Sequence, residues 1–382
     1  MDASADRKSD EINVTMEGPV RILMLFTIMN RGGAETMVMN YYRHIDRNRV
    51  QFDFMVHRQE QGVYDDEIKT MGGKIYRMIP LHPFTFGTYR KQISDLIIHG
   101  HCSESGYFVY REAARRAVPV IIAHAHNAHA LFDTKWLFRT YFKHAMRPYL
   151  TQGFTCGKEA ARWLLGNELG KKAILQRNAI DTLLYRFDEV VRLEVRQELH
   201  LPEDATVVGH VGRFNRQKNH EFLLEVFHKY VQELNSTAHL LLVGTGKLQK
   251  VIQKKIQQFR LTDQVHLLGE RPDVNRLLQA MDLFLFPSFM EGLSVSMVEA
   301  QCAGLPCVVS DRIPHEAALT DLVSFLSLET APRQWAHEIE RVRCMANRRT
   351  GYYQQIADAG YDIAQNAKWL QNYYLRQWDK TR

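Results

Sequence analysis

Residues 206–235, TVVGHVGRFNRQKNHEFLLEVFHKYVQELN, contain a complete strand–loop–helix unit. The opening TVVGHV is a short, mostly apolar run, which predicts a buried strand. From residue 220 onward, apolar residues recur at the spacing of one helix face, which predicts a helix over 220–235. These residues are Phe222, Leu223, Val226, Phe227, Tyr230, Val231 and Leu234. A buried strand that leads into an amphipathic helix is typical of parallel βαβ units.

The same alternation of strands and helices extends in both directions along the chain. Helical spacing is present at 34–45 and 64–71, and helical, tryptophan-bearing segments follow about residue 330. We therefore expect an α/β protein built from two doubly wound units, with a ligand at the carboxyl ends of their strands. Short continuous apolar runs predict the other strands at 20–28, 52–56, 120–123, 239–243, 264–268, 283–286 and 307–309.

Chain length agrees with two domains, because 382 residues and 44.5 kDa exceed one ordinary hydrophobic core. A charged stretch that contains Pro202 separates the two predicted units. We predict a disordered tail at 1–18, an N-terminal domain at 19–180, a linker at 181–205, a C-terminal domain at 206–345 and C-terminal helices at 346–382.

Composition excludes several classes of protein. With 45% hydrophobic and 24% charged residues, the chain is not wholly disordered. No apolar run approaches the ~18 residues of a spanning helix, and the polar N-terminus does not resemble a signal peptide, so we expect a cytosolic protein. The five cysteines include no CxxC pair, which argues against a disulfide framework or a cysteine-based zinc site.

The net charge of +6 is mildly basic for this length. Such a charge fits an anionic small ligand or an anionic membrane surface. Because no basic–aromatic recognition module is present, we do not expect a nucleic-acid partner.

Two cations lie in the loop that follows the strand at 206–211. Arg213 and Lys218 are five residues apart in the sequence VGRFNRQKN. At the carboxyl end of a strand, such a pair suits a diphosphate, since each cation can neutralise one phosphate. Taken alone, such a pair is more typical of a solvated turn than of a phosphate site.

Two acids flank a predicted helix start in the sequence EGLSVSMVEAQCAGLP, residues 291–306. If Ser294 begins a helix, the free backbone N–H groups and the helix dipole form an anion site. Glu291 then precedes the helix and Glu299 lies on its second turn, where each carboxylate can accept hydrogen bonds from sugar hydroxyls. A single helix-terminal acid without a ligand is also common.

In combination, these motifs resemble the family 4 glycosyltransferases. The resemblance is close over residues 206–316 and extends through residues 31–35 and 124–127, which together resemble the bacterial exopolysaccharide and capsule branch. It implies a GT-B fold, in which two Rossmann-like domains face a cleft and a C-terminal helix crosses back to the N-terminal domain. The motifs are Gly212-Arg213 with Lys218-Asn219, Gly244-x-Gly246, Pro287-Ser288, Glu291 with Glu299, and Ala303-Gly304-x-Pro306.

The resemblance also implies roles for individual residues in binding a nucleotide sugar. Arg213 and Lys218 are expected to bind its diphosphate, Glu291 the hydroxyls of the sugar, and Glu299 the ribose. Backbone N–H groups around Gly292, Leu293, Ser294 and Val295 are expected to hold the distal phosphate. The loop at Gly32 and Gly33 is expected to bring backbone close to the donor, a role that glycine fills without steric cost. The expected reaction is retaining and needs no metal or other cofactor.

Histidines form a second group of candidates. His124, His126 and His129 give the pattern H-x-H-x-x-H, which is half of a metallohydrolase signature, but Ala128 stands where that signature has a carboxylate. We therefore do not expect a metal there. The resemblance implies that one histidine of the H-x-H pair faces the sugar, and it favours His126 over His124. A further pair, His99 and His101, either lines the donor or acceptor side or serves in packing.

Two further features bear on the acceptor and the hinge. Basic residues recur every four residues among bulky apolar ones over 135–150, a pattern that fits either a membrane headgroup layer with a lipid-linked diphosphate or an ordinary solvated helix face. Ala179 stands where the family usually has glycine, and we expect strain if that turn requires a positive φ. The basic residues are Lys135, Arg139, Lys143 and Arg147.

The sequence therefore predicts a retaining glycosyltransferase that uses a nucleotide-diphosphate donor, with UDP favoured by the family. The expected acceptor is a hydroxyl of a glycan or of a polyprenyl-linked glycan, in the cytoplasm or at the inner face of the plasma membrane. His126, Glu291, Arg213 and Lys218 are the candidate catalytic residues. Two alternatives remain open at this stage: a GT-B sugar-nucleotide epimerase, and a non-catalytic nucleotide-sugar-binding subunit of a polysaccharide assembly complex.

Overall fold

Two parallel β-sheets form the framework of the protein. The computed structural model describes residues 18–78, 97–126, 136–345 and 349–381. The first sheet has seven strands in the order β3-β2-β1-β4-β5-β6-β7, and the second has six in the order β10-β9-β8-β11-β12-β13. These two doubly wound sheets confirm the predicted α/β architecture.

The strands of the first sheet are β1 (Val20–Phe26), β2 (Val50–Val56), β3 (Ile75–Arg77), β4 (Ile97–Gly100), β5 (Val120–Ala125), β6 (Gln152–Thr155) and β7 (Ile174–Leu175). The strands of the second sheet are β8 (Val207–Val211), β9 (His239–Val243), β10 (Val265–Gly269), β11 (Leu283–Phe286), β12 (Cys307–Ser310) and β13 (Val323–Leu326). All predicted strands are present, and β5 extends two residues beyond its predicted end, so that His124 lies within it.

Thirteen α-helices are present in the described part of the chain. The helices of the first half are α1 (Gly33–His44), α2 (Asp65–Thr70), α3 (Tyr107–Arg115), α4 (Trp136–Met146), α5 (Lys158–Lys171) and α6 (Glu189–Glu198). The helices of the second half are α7 (His220–Glu233), α8 (Gln249–Gln258), α9 (Val274–Ala280), α10 (Val295–Cys302), α11 (Pro332–Met345), α12 (Tyr352–Ile356) and α13 (Ile363–Asp379).

Strand order determines where loops can form a site. In the first sheet, β1 lies between β2 and β4, and in the second, β8 lies between β9 and β11. The strand order reverses beside β1 and β8, and loops that leave the carboxyl ends of strands diverge at such a point. The loops after β1 and β8 contain Gly32 and Arg213, respectively.

The last helix returns to the first domain. Leu370 and Tyr374 of α13 are buried in the same core cluster as Tyr41 of α1 and Phe52 of β2. Burying these side chains removes a large apolar area from water, which holds the helix against the first sheet. This packing confirms the crossing of the C-terminal helix that the GT-B resemblance implies.

The segment between the two sheets contains regular structure. Helix α6 occupies residues 189–198, within the stretch predicted as a linker, and Val195 and Leu201 lie in a core cluster of the second sheet. Asp188 caps this helix by accepting hydrogen bonds from the N–H groups of Val190 and Val191. Much of that stretch therefore packs as part of the C-terminal half.

Ala179 is free of the strain that its replacement of glycine predicts. Among the described residues, the non-glycine positions with positive φ do not include Ala179. Its side chain is fully buried in the first core, and its carbonyl accepts a hydrogen bond from Asn40 Nδ2 at 3.3 Å. The expectation of a strained turn is therefore wrong, because this backbone does not enter the left-handed region.

Within the described residues, no helix is long and apolar enough to cross a membrane.

Candidate functional site

A cleft of about 920 Å³ lies between the two sheets, at the carboxyl ends of their strands. The first half contributes the loops after β1 and β5, and the second half contributes the loop after β8 and the start of α10. This cleft brings together most of the residues predicted from the sequence. Those predicted residues that line it are Gly32, Gly33, His101, His126, Arg213, Lys218, Glu291, Gly292, Leu293, Ser294, Val295 and Glu299.

Lys218 and Glu291 form an ion pair inside the cleft. Lys218 Nζ lies 2.9 Å from Glu291 Oε1, and only 12% and 9% of the two side chains are exposed. The ammonium group also lies over the Phe286 ring, 4.2 Å from its centroid. Backbone geometry holds the lysine in place, because Asn215 Oδ1 accepts a hydrogen bond from the Lys218 N–H at 3.1 Å. The two predicted residues therefore form one buried, charged unit.

Arg213 reaches across the cleft to the loop that follows β1. Its Nη2 lies 3.5 Å from the carbonyl oxygen of Arg31. A Cβ placed on Gly32 would overlap the carboxylate of Glu35 and lie 3.1 Å from Arg213 Nη2. A side chain at residue 32 would therefore displace the ends of the Glu35 and Arg213 side chains, whereas a Cβ at Gly33 would meet nothing within 4 Å.

Glu35 is a cleft residue to which the sequence analysis assigned no role. Burial raises the pKa of its carboxyl group, and the nearby Arg213 guanidinium partly opposes that shift. The only signal in the sequence was its place at the end of the segment Arg31–Glu35, which carried the family resemblance. The carboxyl lies opposite a predicted phosphate-binding cation, in the first half of the chain.

The start of α10 provides unpaired backbone donors. Ser294 is the N-cap residue in an extended conformation, and its side chain makes no capping hydrogen bond. Instead, Ser294 Oγ lies 3.0 Å from Ser296 Oγ. The first N–H groups of a helix have no partner within it, and here they lie at the cleft wall. The helix predicted from Ser294 onward is thus present with an uncapped N-terminus.

The loop before α10 contacts the first half of the chain at two points. Asn178 Nδ2 donates a hydrogen bond to the carbonyl oxygen of Leu293. A Cβ placed on Gly292 would lie 3.2 Å from the carbonyl oxygen of His126. Glycine at this position therefore permits a close approach of backbone between the two halves.

Glu299 lies on the second turn of α10, as predicted. Burial raises its pKa to about 7, and a hydrogen bond donated by Tyr185 Oη at 2.7 Å opposes that shift. Tyr185 was not predicted, because nothing local in the sequence indicates that residue 185 approaches residue 299. The pair lines the cleft.

The four histidines divide into two that line the cleft and two that do not. His101 Nδ1 lies 2.8 Å from His126 Nε2, and both residues face the cleft. His99 and His124 are fully buried beneath them, and His99 Nδ1 lies 2.7 Å from Tyr374 Oη of α13. The prediction that His99 or His124 lines the site therefore differs from their positions in the structure.

Burial keeps these histidines neutral. It lowers the pKa of His126 to about 4 and that of His99 to about 3, because a charged imidazolium is poorly solvated there. The pKa values of His101 and His124 are lowered well below the ordinary value for the same reason. His129, the last histidine of the H-x-H-x-x-H pattern, lies outside the described residues.

Helix α4 presents apolar rather than basic residues to solvent. Leu137, Phe138 and Tyr141 are 72%, 70% and 63% exposed. Of the basic residues in the predicted stripe, Lys143 Nζ lies over the Trp163 ring at 4.6 Å and Arg147 donates to the carbonyl oxygen of Leu164 at 3.1 Å. The helix therefore has an exposed apolar surface, and its cations are partly engaged. Lys135 of the stripe lies outside the described residues.

Comparison with known proteins provides independent information on this site. Residues 191–355 match the family model for glycosyl transferases group 1. The Bacillus subtilis (strain 168) protein EpsF, named as a glycosyltransferase, is 34% identical over 369 residues, which cover 93% of this chain and 96% of EpsF. The Escherichia coli UDP-Gal:alpha-D-GlcNAc-diphosphoundecaprenol alpha-1,3-galactosyltransferase is 28% identical over 230 residues, 56% of this chain and 57% of that protein.

Among solved structures, the chain is similar to Anabaena Alr3699/HepE in complex with UDP-glucose. The TM-score is 0.77 with 16% sequence identity, and the match covers 93% of this chain and 99% of the other. At that identity the likeness concerns the fold, and it agrees with the two facing parallel sheets described above.

Proposed function

The chain belongs to the group 1 glycosyltransferases, and from that premise we propose that it is a retaining, metal-independent enzyme of family 4. Its donor is a nucleotide-diphosphate sugar with UDP as the nucleotide. Its acceptor is a hydroxyl of a lipid-linked glycan in the synthesis of bacterial surface polysaccharide or exopolysaccharide. The following paragraphs give the support for each part of this proposal.

The buried pair of Lys218 and Glu291 is the observation on which the proposal depends most. A diphosphate that enters the cleft can accept hydrogen bonds from Lys218 and Arg213, and from the free N–H groups at the start of α10. Glu291 then accepts hydrogen bonds from hydroxyls of the sugar. The Lys218–Glu291 pair would thus contact both the departing diphosphate and the transferred sugar.

This arrangement suits departure of a diphosphate. As the bond between the anomeric carbon and the phosphate oxygen breaks, negative charge grows on the leaving group and positive charge on the sugar. Cations and helix N–H groups fixed in advance stabilise the growing negative charge without reorganisation. Two cations and an uncapped helix supply this stabilisation in the place of a divalent ion, which supports metal independence.

The remaining cleft residues account for the other parts of the donor. His126 lies at the interface with Gly292 and is positioned to face the sugar, and its Nε2 is oriented by His101. Glu299 is positioned for the ribose, whose hydroxyls would donate to its carboxylate beside the Tyr185 hydroxyl. The preference for UDP is supported by the printed titles of the HepE complex and the E. coli relative.

The acceptor is inferred from the exposed apolar surface of α4 and from a relative. The E. coli relative acts on a sugar linked through diphosphate to a lipid, as its name states. Exposed Leu137 and Phe138 on α4 provide an apolar surface that can enter the headgroup layer of an anionic membrane. Together they support a lipid-linked acceptor used at the cytoplasmic face of the membrane.

The first test compares Lys218→Ala with Lys250→Ala, a matched control at an exposed position on α8. Thermal stabilisation by a panel of UDP-sugars, with EDTA present, identifies the donor, because binding to the native state raises the unfolding midpoint. We expect Lys218→Ala to lose about 100-fold or more in turnover, the scale seen when one group that stabilises a developing anion is removed. Lys250→Ala should retain wild-type turnover.

Two outcomes would contradict parts of the proposal. Wild-type turnover in a folded Lys218→Ala variant would remove the diphosphate assignment. Turnover that disappears in EDTA and returns with a divalent ion would refute metal independence. The anomeric configuration of the product, determined by NMR against that of the donor, decides whether the reaction is retaining.

A further inference from the structure

A thiol and four imidazoles meet at the carboxyl end of the first sheet. His124 lies on β5, His126 follows it directly, and Cys156 follows the adjacent strand β6. His99 and His101 come from β4 on the other side. The sheet therefore gathers, in one place, side chains that ligate transition metals.

Three of these side chains have the spacing of a metal site. Cys156 Sγ lies 3.5 Å from His124 Nε2 and 3.4 Å from His126 Nδ1. One ligand atom of each of the three residues lies within 4.8 Å of those of the other two. In a tetrahedral zinc site, Zn–S bonds of about 2.3 Å and Zn–N bonds of about 2.0–2.1 Å place sulfur and nitrogen about 3.5 Å apart. The observed separations match that edge.

The surroundings orient one imidazole and the thiol. The other ring nitrogen of His126, Nε2, lies 2.8 Å from His101 Nδ1, and the Cys156 thiol donates to Asn178 Oδ1 at 3.3 Å, a hydrogen bond that is lost when a metal ion replaces the thiol proton. Metal-bound imidazoles usually donate their second N–H to an acceptor that fixes the orientation of the ring, and neutral His101 Nδ1 can accept from His126. Because His126 lines the cleft, an ion has a path to the site from solvent.

Binding by this set requires two neutral imidazoles and a thiolate. Each ion bound would form one metal–sulfur bond and release the thiol proton to solvent. The resulting thiolate offsets one of the two positive charges of the ion.

We propose that His124, His126 and Cys156 form a binding site for Zn²⁺, with solvent from the cleft as the fourth ligand. The transfer reaction does not use this ion. Its effect on turnover rests on the proposed function: an ion on His126 withdraws that ring from the donor sugar, so zinc slows the transferase. The site thereby makes the enzyme sensitive to free zinc.

Cobalt provides a direct test on the metal-free, full-length protein. Co²⁺ in a tetrahedral site has intense visible absorption, and a bound thiolate adds a charge-transfer band in the near ultraviolet. We expect one equivalent of Co²⁺ to produce both bands and Zn²⁺ to abolish them. Cys156→Ser should lose the charge-transfer band and bind more than about tenfold more weakly. Cys344→Ser, at an exposed cysteine on α11, should keep the band.

The outcomes separate this site from its alternatives. No charge-transfer band in the wild-type protein, or a band that persists in Cys156→Ser, would overturn the assignment. Cobalt bound without a thiolate band would instead indicate the neighbouring group of His99, His101 and His124. If Cys156→Ser does not fold, His124→Asn tests the same ligand set, and loss of the band and of tight binding is again expected.

Turnover distinguishes failure of this inference from failure of the proposed function. We expect one equivalent of Zn²⁺ to lower turnover of wild-type enzyme at least tenfold and to have a much smaller effect on Cys156→Ser. If cobalt gives the thiolate band but zinc leaves turnover unchanged, the zinc site stands and the placement of His126 against the sugar is wrong. Absence of the band refutes the zinc site, whatever the activity.

Discussion

The buried carboxyl of Glu299 lowers the stability of the free protein above its pKa. Its carboxyl is buried, and its pKa of about 7 lies above the ordinary value of 4.5. The folded state therefore holds a proton that the unfolded state releases as the pH rises through about 4.5. Above the folded pKa, the charge is buried with a single hydroxyl partner, Tyr185. A donor whose ribose hydroxyls also hydrogen-bond to this carboxylate would supply the missing partners.

Glu299→Gln is expected to stabilise the free protein and weaken donor binding. The substitution removes a poorly solvated charge but keeps an oxygen that accepts from Tyr185. We expect a gain of about 1–3 kcal/mol in unfolding free energy near pH 8 and little change at pH ~3.5, where the wild-type carboxyl is mostly protonated in both states. Urea unfolding at the two pH values measures this difference.

The same variant should lose most of its stabilisation by the UDP-sugar. Glu168→Gln, at an exposed position on α5, is the matched control and should change neither quantity. Equal stability of wild type and Glu299→Gln near pH 8 would mean that the carboxyl is better solvated than its burial implies. Unchanged donor binding would remove the ribose assignment.

At the scale of secondary-structure elements, α4 differs from an ordinary surface helix. Its exposed side includes Leu137, Phe138 and Tyr141, whereas a solvated helix normally exposes charged residues. Sequence periodicity alone left open which side of this helix faces solvent. The structure decides this point, because Lys143 of the helix lies over the Trp163 ring and Arg147, directly after the helix, donates to the carbonyl of Leu164.

Replacing both exposed residues, Leu137→Ser with Phe138→Ser, should weaken binding to vesicles that contain anionic lipid. Each side chain contributes about 1.5–3 kcal/mol when fully buried in an apolar phase, so the double variant should bind at least tenfold more weakly. Val251→Ser, at an exposed apolar position on α8, is the control and should bind like wild type. Vesicle co-sedimentation measures the partition, and failure of wild type to bind such vesicles would refute the membrane proposal.

Local sequence patterns predicted the elements better than the contacts between them. The continuous apolar strands and the helix from Ser294 are local features, and all are present. Strands β3, β4, β6, β7 and β13 are only two to four residues long and were not predicted. Tyr185 and Cys156 join the site through contacts with Glu299 and His126, residues distant in sequence. Since periodicity reports only on neighbours along one element, such partners are not visible in it.

The histidines show that a short motif, too, does not reveal contacts with residues that are distant in sequence. Alternation along a strand places His99 with His101, and His124 with His126, on one face. It does not tell which member of each pair is covered by α13 and which reaches the cleft. Tyr374, which contacts His99, comes from the far end of the chain. His126, which the family resemblance favoured over His124 as the residue that faces the sugar, lines the cleft, whereas the burial of His99 could not be predicted from the sequence.

At the scale of the whole molecule, the C-terminal helix packs into the core of the N-terminal domain. The last helix fills a groove on the first sheet, and the backbone at Ile180 forms a bridge with Asp362. Asn178, two residues earlier, donates to the carbonyl of Leu293 in the loop before α10. The crossing segments therefore lie beside the contacts that connect the two halves.

This arrangement predicts that a change near the C-terminus destabilises the N-terminal domain. Leu370 of α13 is 1% exposed and packs in the core of the first sheet, so Leu370→Ala should cost about 2–5 kcal/mol. Hydrogen exchange should accelerate in β1 and β2, more than 300 residues earlier in the sequence, and remain slow in β9 and β11. Lys368→Ala, exposed on the same helix, is the control and should leave both patterns unchanged. Acceleration confined to the second sheet would mean that α13 stabilises that sheet instead, contrary to its packing against α1 and β2.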